Sequence, residues 1–587
     1  MFFTLEKFNR RTEELEHRRY FGHVCIAPFV SMPGTLSKDE TYQELPSKIE
    51  GSSFGLNDFF VGRDRYLWVE KHITLLPPKD GCEVVGLFNF GKTGNGFNSS
   101  FESLLYVNGT PYQGVDTYHN EVVFTGLGGK NVSLTFLLWT GLEGGGEEQC
   151  FYHQLKQADL AYLHKATDEF YYFAKAITQT LELLPDESTD KTNLIAILDR
   201  ALSIINWDED SFYNTVERAL EVLLSELSKL EKKSDVTVYT VGHTHIDVAW
   251  LWRLKHTREK AQRSFSTVLH LMEQYNEYIF LQTQPQLYQY IKNDCPLLYE
   301  KIKEKIAEGK WEPDGGMWLE ADCNLPSGES LVRQFMHGCQ FIKEEFGKEC
   351  EYLWLPDVFG YSWALPQILK QCNIKTFMTT KISWNQYNVI PNDTFYWRGI
   401  DGSEVLTYFI DTPVEQNDFS GRSTYNGYLT PYAVLGSWKN FKNKDLSKDV
   451  LIAFGYGDGG GGSNRDMLEM RRKMDQLPGL PNVKNCKAGD FFRLLHSNIE
   501  HTDRYIPTWD GELYLEYHRG TYTSQAYNKK CNRKLEFALT QAESLSVMKY
   551  LNNGVYDQKQ LYSSWECVLL HQFHDIIPGS SIHEVYQ

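Results

Sequence analysis

Residues 242–250 read Gly-His-Thr-His-Ile-Asp-Val-Ala-Trp and directly follow the β-branched run Val236 to Val241. A strand that stays extended past Gly242 sends His243, His245 and Asp247 to one side, because strand side chains alternate with a period of two. Two of the three could hold one divalent cation. Imidazole nitrogen with carboxylate oxygen suits a borderline ion such as Zn²⁺, and a site with two or three protein ligands keeps a position open for substrate. The competing reading is a strand-end turn whose histidines are merely solvated.

Three further places carry chemistry. Asp357 ends the apolar run Tyr352 to Pro356 and precedes Val358-Phe359-Gly360-Tyr361; Asp458 follows the run Val450 to Gly457 and precedes four glycines, 459–462. Glycines let backbone crowd a ligand. A phosphate-cradling loop is the rival explanation of that run, but no Gly-Lys-Ser or Gly-Lys-Thr follows it. The third place is His574-Asp575, where Pro578 and Gly579 stop a helix. A histidine in a last turn can simply complement the helix dipole, whereas an aspartate there is electrostatically misplaced.

The elements that must position these groups follow from periodicity. Residues 1–160 hold short strands, among them Glu83 to Phe88 and Val132 to Leu138, between the turn signals Asn95-Gly96, Asn108-Gly109 and Gly144-Gly145-Gly146. That spacing predicts an antiparallel β-sandwich, either a sugar-binding module or a structural one. Residues 161–234 turn helical and form a linker. Over 235–495, buried strands (Tyr278 to Leu281, Tyr352 to Leu355, Thr376 to Thr379, Val405 to Ile410, Val450 to Phe454) alternate with amphipathic helices. This rhythm predicts a parallel α/β sheet or barrel, taken as a barrel-like domain that would be the catalytic one if the strand-end acids do chemistry, with ligands just beyond the carboxyl ends of its strands. Residues 496–587 show two helical stripes, Leu535 to Met548 and Leu561 to Leu569, which predict an incomplete three-helix bundle. The chain reads as a multidomain α/β protein whose C-terminal portion is missing.

Composition narrows the partners. A chain of 587 residues exceeds one core and predicts roughly three or four domains. Its net charge of -18 excludes nucleic acid and anionic membrane as main partners, since both demand a basic surface. The chain opens on no secretion signal and holds no apolar stretch near the roughly 18 residues of a membrane span, which predicts a cytoplasmic protein. The eleven cysteines include no Cys-x-x-Cys pair and are expected to be reduced.

With these residues together, the sequence resembles glycoside hydrolase family 38, the retaining α-mannosidases. Four motifs stand in the family's order over about 236–587: GHTHIDVAW, WLPDVFGYS, the acid of GYGDGGGG, and HQFHDIIPGS. The N-terminal region looks like that of the cytosolic and vacuolar branch, in a bacterial-like form. The resemblance implies one zinc ion held by His245, Asp247, Asp357 and His574, with His243 in support. It further implies Asp357 as the nucleophile and Asp458 as the general acid/base. Secretory members carry two adjacent acids at that last position, where this chain has Gly457-Asp458-Gly459. Trp250 matches an aromatic floor beneath the sugar, Lys381 stands where secretory members carry an arginine, and Asp575 matches a sugar-hydroxyl acceptor.

Cleavage with retention needs two carboxyl groups about 5 to 5.5 Å apart, one ionised for attack and one protonated for donation. Asp357 beside a cation should stay anionic, whereas Asp458 needs burial and negative neighbours to keep its proton. The expected activity is a retaining exo-α-mannosidase acting on a mannose-containing oligosaccharide or mannosyl glycoside. Two alternatives remain: a metal-dependent deacetylase or amidohydrolase, which has no use for Asp458, and a non-catalytic carbohydrate-binding protein. Linkage, aglycone and oligomeric state stay open, a homo-oligomer being one option.

Overall fold

The computed structural model describes residues 4–34, 43–91, 101–414 and 422–587. The Asn95-Gly96 turn signal lies outside them. A helix, Thr4–Arg18, leads the chain and packs on the helix Lys165–Leu183, burying Phe8 and Leu15, two turns apart on one face. Two antiparallel sheets follow. One has the order Tyr20–Cys25, Gln157–His164, Cys82–Asn89, Glu121–Val123; the other runs Ser52–Phe54, Phe29–Pro33, Tyr66–Thr74, Asn131–Trp139, Glu102–Val107, Thr110–Gly114.

The central strand Asn131–Trp139 is buried on both faces, so it departs from the alternation of apolar and polar residues usual in a half-exposed sheet. Val132, Leu134, Phe136 and Leu138 enter a core with Phe29, Phe88 and Phe90. Leu137 and Trp139, with Leu104 and Tyr106 of the neighbouring strand, face the other way and cluster with Trp252 and Ile582. The outer face of this sheet is therefore an internal surface of the protein, laid against the segment that follows the His-Thr-His-Ile-Asp motif.

Helices Lys165–Leu183, Thr189–Leu202 and Glu209–Leu227 lead into the α/β region. There Trp311–Pro313, Phe280–Gln282, Thr237–His243 and Asp449–Phe454 lie side by side in that order, all parallel, and Asn482–Asn485 also pairs with Thr237–His243. A second sheet holds Tyr352–Trp354, Thr376–Thr379, Glu404–Phe409, Thr394–Arg398 and Thr508–Asp510, and a lone parallel bridge from Gly315 to Leu353 joins it to the first. One pair, Thr394–Arg398 with Glu404–Phe409, is antiparallel; the tight turn through Asp401-Gly402, with Gly402 at φ 85°, makes it a hairpin.

Toward the C-terminus, helices Ala526–Leu551 and Gln558–His571 pack together. Leu561, Trp565, Val568 and Leu569 are buried as their stripe predicts. The stripe on the first helix is not: Leu535, Leu545 and Met548 are 48%, 63% and 59% exposed, and the buried residues are Asn532 and Glu536. Periodicity identified an apolar face but not the side that docks, and docking here runs through polar contacts. Glu536 accepts from the Ser327 amide at 2.8 Å and the Ser330 hydroxyl at 2.7 Å, and Glu543 pairs with Arg333.

All eleven cysteines are free. Among the described residues no helix is long and apolar enough to cross a membrane.

Phe136 is fully buried among Phe29, Phe88 and Phe90. Phe136→Ala is expected to cost about 3–5 kcal/mol in denaturant unfolding; a loss under about 1 kcal/mol would show that the two sheets do not share this core.

Candidate active site

The strand Thr237–His243 ends on the first histidine of the motif, so the period of two stops there. His243 turns its Nδ1 to the Leu281 carbonyl of the adjacent strand at 3.1 Å and packs against Trp354, and burial lowers its pKa to about 4. His245 and Asp247 part from it, with His245 Nε2 2.8 Å from Asp247 Oδ1. The expectation of three groups on one side is thereby corrected to two.

Asp357 leaves the end of Tyr352–Trp354, and His574 follows the last turn of Gln558–His571. His574 Nε2 lies 3.5 Å from Asp247 Oδ1 and 3.4 Å from Asp357 Oδ2. One ligand atom from each of His245, Asp247, Asp357 and His574 falls within 4.8 Å of the others, and all four residues are buried.

Whether this set fits a metal is decided by its donors. His574 Nδ1–H donates to the Glu320 carbonyl at 2.8 Å, which leaves Nε2 with a lone pair, buried and without a hydrogen-bond partner. His245 Nδ1 faces the Glu320 carboxylate at 2.8 Å, so its Nε2 also points inward. Two oriented imidazoles and two carboxylates form an N/O donor set of the type that holds Zn²⁺, with separations of 2.8, 3.4 and 3.5 Å and all four donors within 4.8 Å of one another. The residues fit.

Electrostatics point the same way. Asp247, Asp357, Glu320 and Asp575 crowd the two imidazoles. Burial opposes charge on His574, but Asp247 and Asp357 raise its pKa to about 10, and Glu320 and Asp247 likewise hold His245 well above the usual range. Without an ion, the histidines supply the positive charge that the carboxylates demand.

The remaining predicted residues meet across one cavity of about 450 Å³, lined by Asp247, Trp250, Asp357, Lys381, Asp458 and Asp575. Lys381 Nζ donates to Asp357 Oδ1 at 2.5 Å; burial would raise the Asp357 carboxyl, but Lys381, then His574 and His245, hold it well below the carboxylate range. Asp458 goes the other way. Burial and the charges of Asp247 and Asp357 push it up to about 6. Asp575 rises to about 7 for similar reasons, and its carboxylate accepts from Ser580.

Two family models match the chain: "Glycosyl hydrolases family 38 N-terminal domain" over residues 235–512 and "Alpha mannosidase middle domain" over 516–587. The chain belongs to glycoside hydrolase family 38. Alpha-mannosidase G of Dictyostelium discoideum is 36% identical over 84% of this chain and 45% of its own length. Alpha-mannosidase 2C1 of Mus musculus is 34% identical over 97% of this chain and 53% of its own. The chain thus spans about half the length of these curated relatives. The crystal structure of an alpha-mannosidase from Enterococcus faecalis V583 superposes with a TM-score of 0.52 at 22% identity, covering 60% of this chain and 40% of that one, and so shares the fold.

Several residues of this family 38 site escaped the sequence reading. Glu320 orients both histidines, yet the strand before it, Trp311–Pro313, has three residues and no readable period. Tyr425 and Asn426 donate to Asp458 Oδ1 at 3.1 and 3.2 Å from a stretch without regular structure. Trp384 lies under the Lys381 ammonium at 4.2 Å, and its place beside a recognised cation was the signal that could have found it.

Glu320→Gln is expected to weaken metal binding about 10–100-fold, as loss of a partner that orients a ligating histidine does. Titration of the chelator-stripped protein with zinc checks this, and an unchanged affinity would show that Glu320 does not orient His245.

Proposed function

We propose that this protein is a retaining exo-α-mannosidase that releases terminal mannose through a covalent mannosyl-enzyme. The observation that carries the reading is the convergence on one cavity of two aspartates shifted in opposite directions, Asp357 held anionic within the four-residue N/O cluster and Asp458 pushed up to about 6. The printed names of the relatives, alpha-mannosidases, support mannose as the sugar.

In this reading His245, Asp247, Asp357 and His574 would hold Zn²⁺, which would supply Lewis acidity for orienting the hydroxyls of mannose. Trp250 offers its ring to the sugar face, and Asp575 accepts from a sugar hydroxyl. Asp357 attacks C1 through Oδ1, the oxygen that faces Lys381 while Oδ2 faces His574, as the bond from C1 to the leaving oxygen breaks, and Asp458 gives that oxygen its proton. Asp458, now ionised, takes a proton from water as the water attacks C1 and frees Asp357. Lys381 steadies the carboxylate charge of Asp357 in both steps. A deacetylase would leave the acid and its environment without a role. A cytoplasmic setting accords with the free thiols.

Proton NMR of the sugar first released from an aryl α-mannoside is expected to show the α-anomer; the β-anomer would reject retention. Asp357→Ala should abolish labelling by a fluorinated mannosyl donor, and labelling of another carboxylate would relocate the nucleophile. Asp458→Asn should lower kcat/KM by about 10²–10⁴-fold on alkyl mannosides but far less on dinitrophenyl mannoside, whose leaving group needs no proton.

A further inference from the structure

The glycine-rich loop that carries Asp458 is gripped from two sides. On the inner side the Asp247 amide donates to the Asp458 carbonyl at 2.8 Å. On the outer side lies a loop of the N-terminal module, residues 115–120, between the strands Thr110–Gly114 and Glu121–Val123. His119 meets the Ser463 carbonyl through Nε2 at 3.1 Å and Asp116 Oδ1 through Nδ1 at 2.9 Å. Asp116 Oδ2 accepts from Arg263 at 2.8 Å, and the other terminal nitrogen of that guanidinium donates to the carbonyl of Gly459, the residue after Asp458. The Tyr118 ring stacks on Tyr456, centroids 3.7 Å apart and planes 16° apart.

The polar core of this contact is buried and closely fitted. Asp116, His119 and Arg263 are 5%, 5% and 3% exposed. A methyl group on Gly461 would come within 3.1 Å of the His119 ring. Asp458 itself adopts φ 58°, a left-handed conformation that costs a residue with a Cβ about 1–2 kcal/mol and persists only where the surroundings impose it. The surroundings here belong in part to a different module of the chain.

We propose that Asp116 and His119, acting with Arg263, are positioning residues for Asp458: by fixing the backbone at Gly459 and Ser463 they aim its carboxyl at the leaving-group oxygen, which makes the N-terminal module a working part of proton donation. This rests on the acid role proposed for Asp458. A displacement of about 1 Å at a reacting group can cost on the order of 10²-fold. Removing the outer grip should therefore fall selectively on steps that need the proton.

The test compares kcat/KM for an alkyl α-mannoside and for dinitrophenyl α-mannoside in the zinc-loaded full-length protein. His119→Ala and Asp116→Asn are each expected to lose about 30-fold on the alkyl substrate and under about threefold on the dinitrophenyl one, a fraction of the full acid contribution. KM and zinc content should be unchanged. His119→Gln, whose side-chain amide can still donate to Ser463, should recover most of the loss, and it carries the test with Asp116→Asn if the alanine variant does not fold. Equal losses on both substrates, or none, would overturn the proposal while leaving the acid role of Asp458 intact. Asp458→Asn is run in parallel: if it too lacks leaving-group dependence, the acid assignment falls and the positioning role falls with it.

Discussion

The structure is organised around a concentration of buried negative charge. Asp247, Asp357, Glu320 and Asp575 surround two imidazoles at a point where none of these side chains exceeds 8% exposure. An ionised carboxylate taken out of water costs several kcal/mol unless it is paired. Lys381 pairs with Asp357, and the imidazoles of His245 and His574 must otherwise become cationic themselves. A divalent cation meets the same demand with one ion. Much of the surrounding architecture follows from bringing these carboxylates together and keeping them there.

That requirement explains why distant segments are joined by backbone rather than by side chains alone. The Asp322 amide donates to the Gln572 carbonyl at 2.9 Å, the His574 amide to Glu320 at 3.3 Å, and Ala321 bridges to Phe573. The C-terminal helix is thus tied, through its last turn, to the segment that carries Glu320. On the opposite wall, one residue type is driven two ways: Lys381 keeps Asp357 anionic, whereas burial and like charge push Asp458 up to about 6. Environment shifts the two acids in opposite directions, as the proposed division between attack and donation requires.

The strand-end acids were legible because α/β topology gathers the carboxyl ends of its strands, so a polar residue just beyond each strand has few places to go. Asp247, Asp357 and Asp458 all obey this. His574 was legible only through the resemblance, since local reasoning allowed a dipole-capping role equally. Glu320 was hidden by the brevity of its strand, and Tyr425 by the lack of any period around it. His243 shows the limit of alternation: the rule holds while the strand lasts, and this strand lasts no further. The exposed stripe on Ala526–Leu551 shows another. A period of 3.6 states that a face exists, while the partner is set by contacts such as Glu536 with Ser327 and Ser330 that carry no periodic signature.

The N-terminal sheets bear on the same constraint from outside. Were they an independent module, the outer face of Asn131–Trp139 would be polar, because an antiparallel sheet with one wet face alternates. Instead Leu137 and Trp139 are buried with Trp252, whose indole donates to the Asp247 carbonyl at 3.0 Å. The Trp250 carbonyl in turn accepts from the Ile582 amide at 2.8 Å, so the proposed sugar-stacking ring is fixed by both the sheet side and the C-terminal segment. A residue in the left-handed region, flanked by glycines, would relax if its neighbours allowed it. The loop of Asp458 has neighbours that do not, and they come from elements that fold far apart in the chain: Asp247 beneath it, Arg263 beside Gly459, and His119 against Ser463. The backbone that carries Asp458 is therefore held by the assembly closing on one loop, and not by the α/β sheet alone.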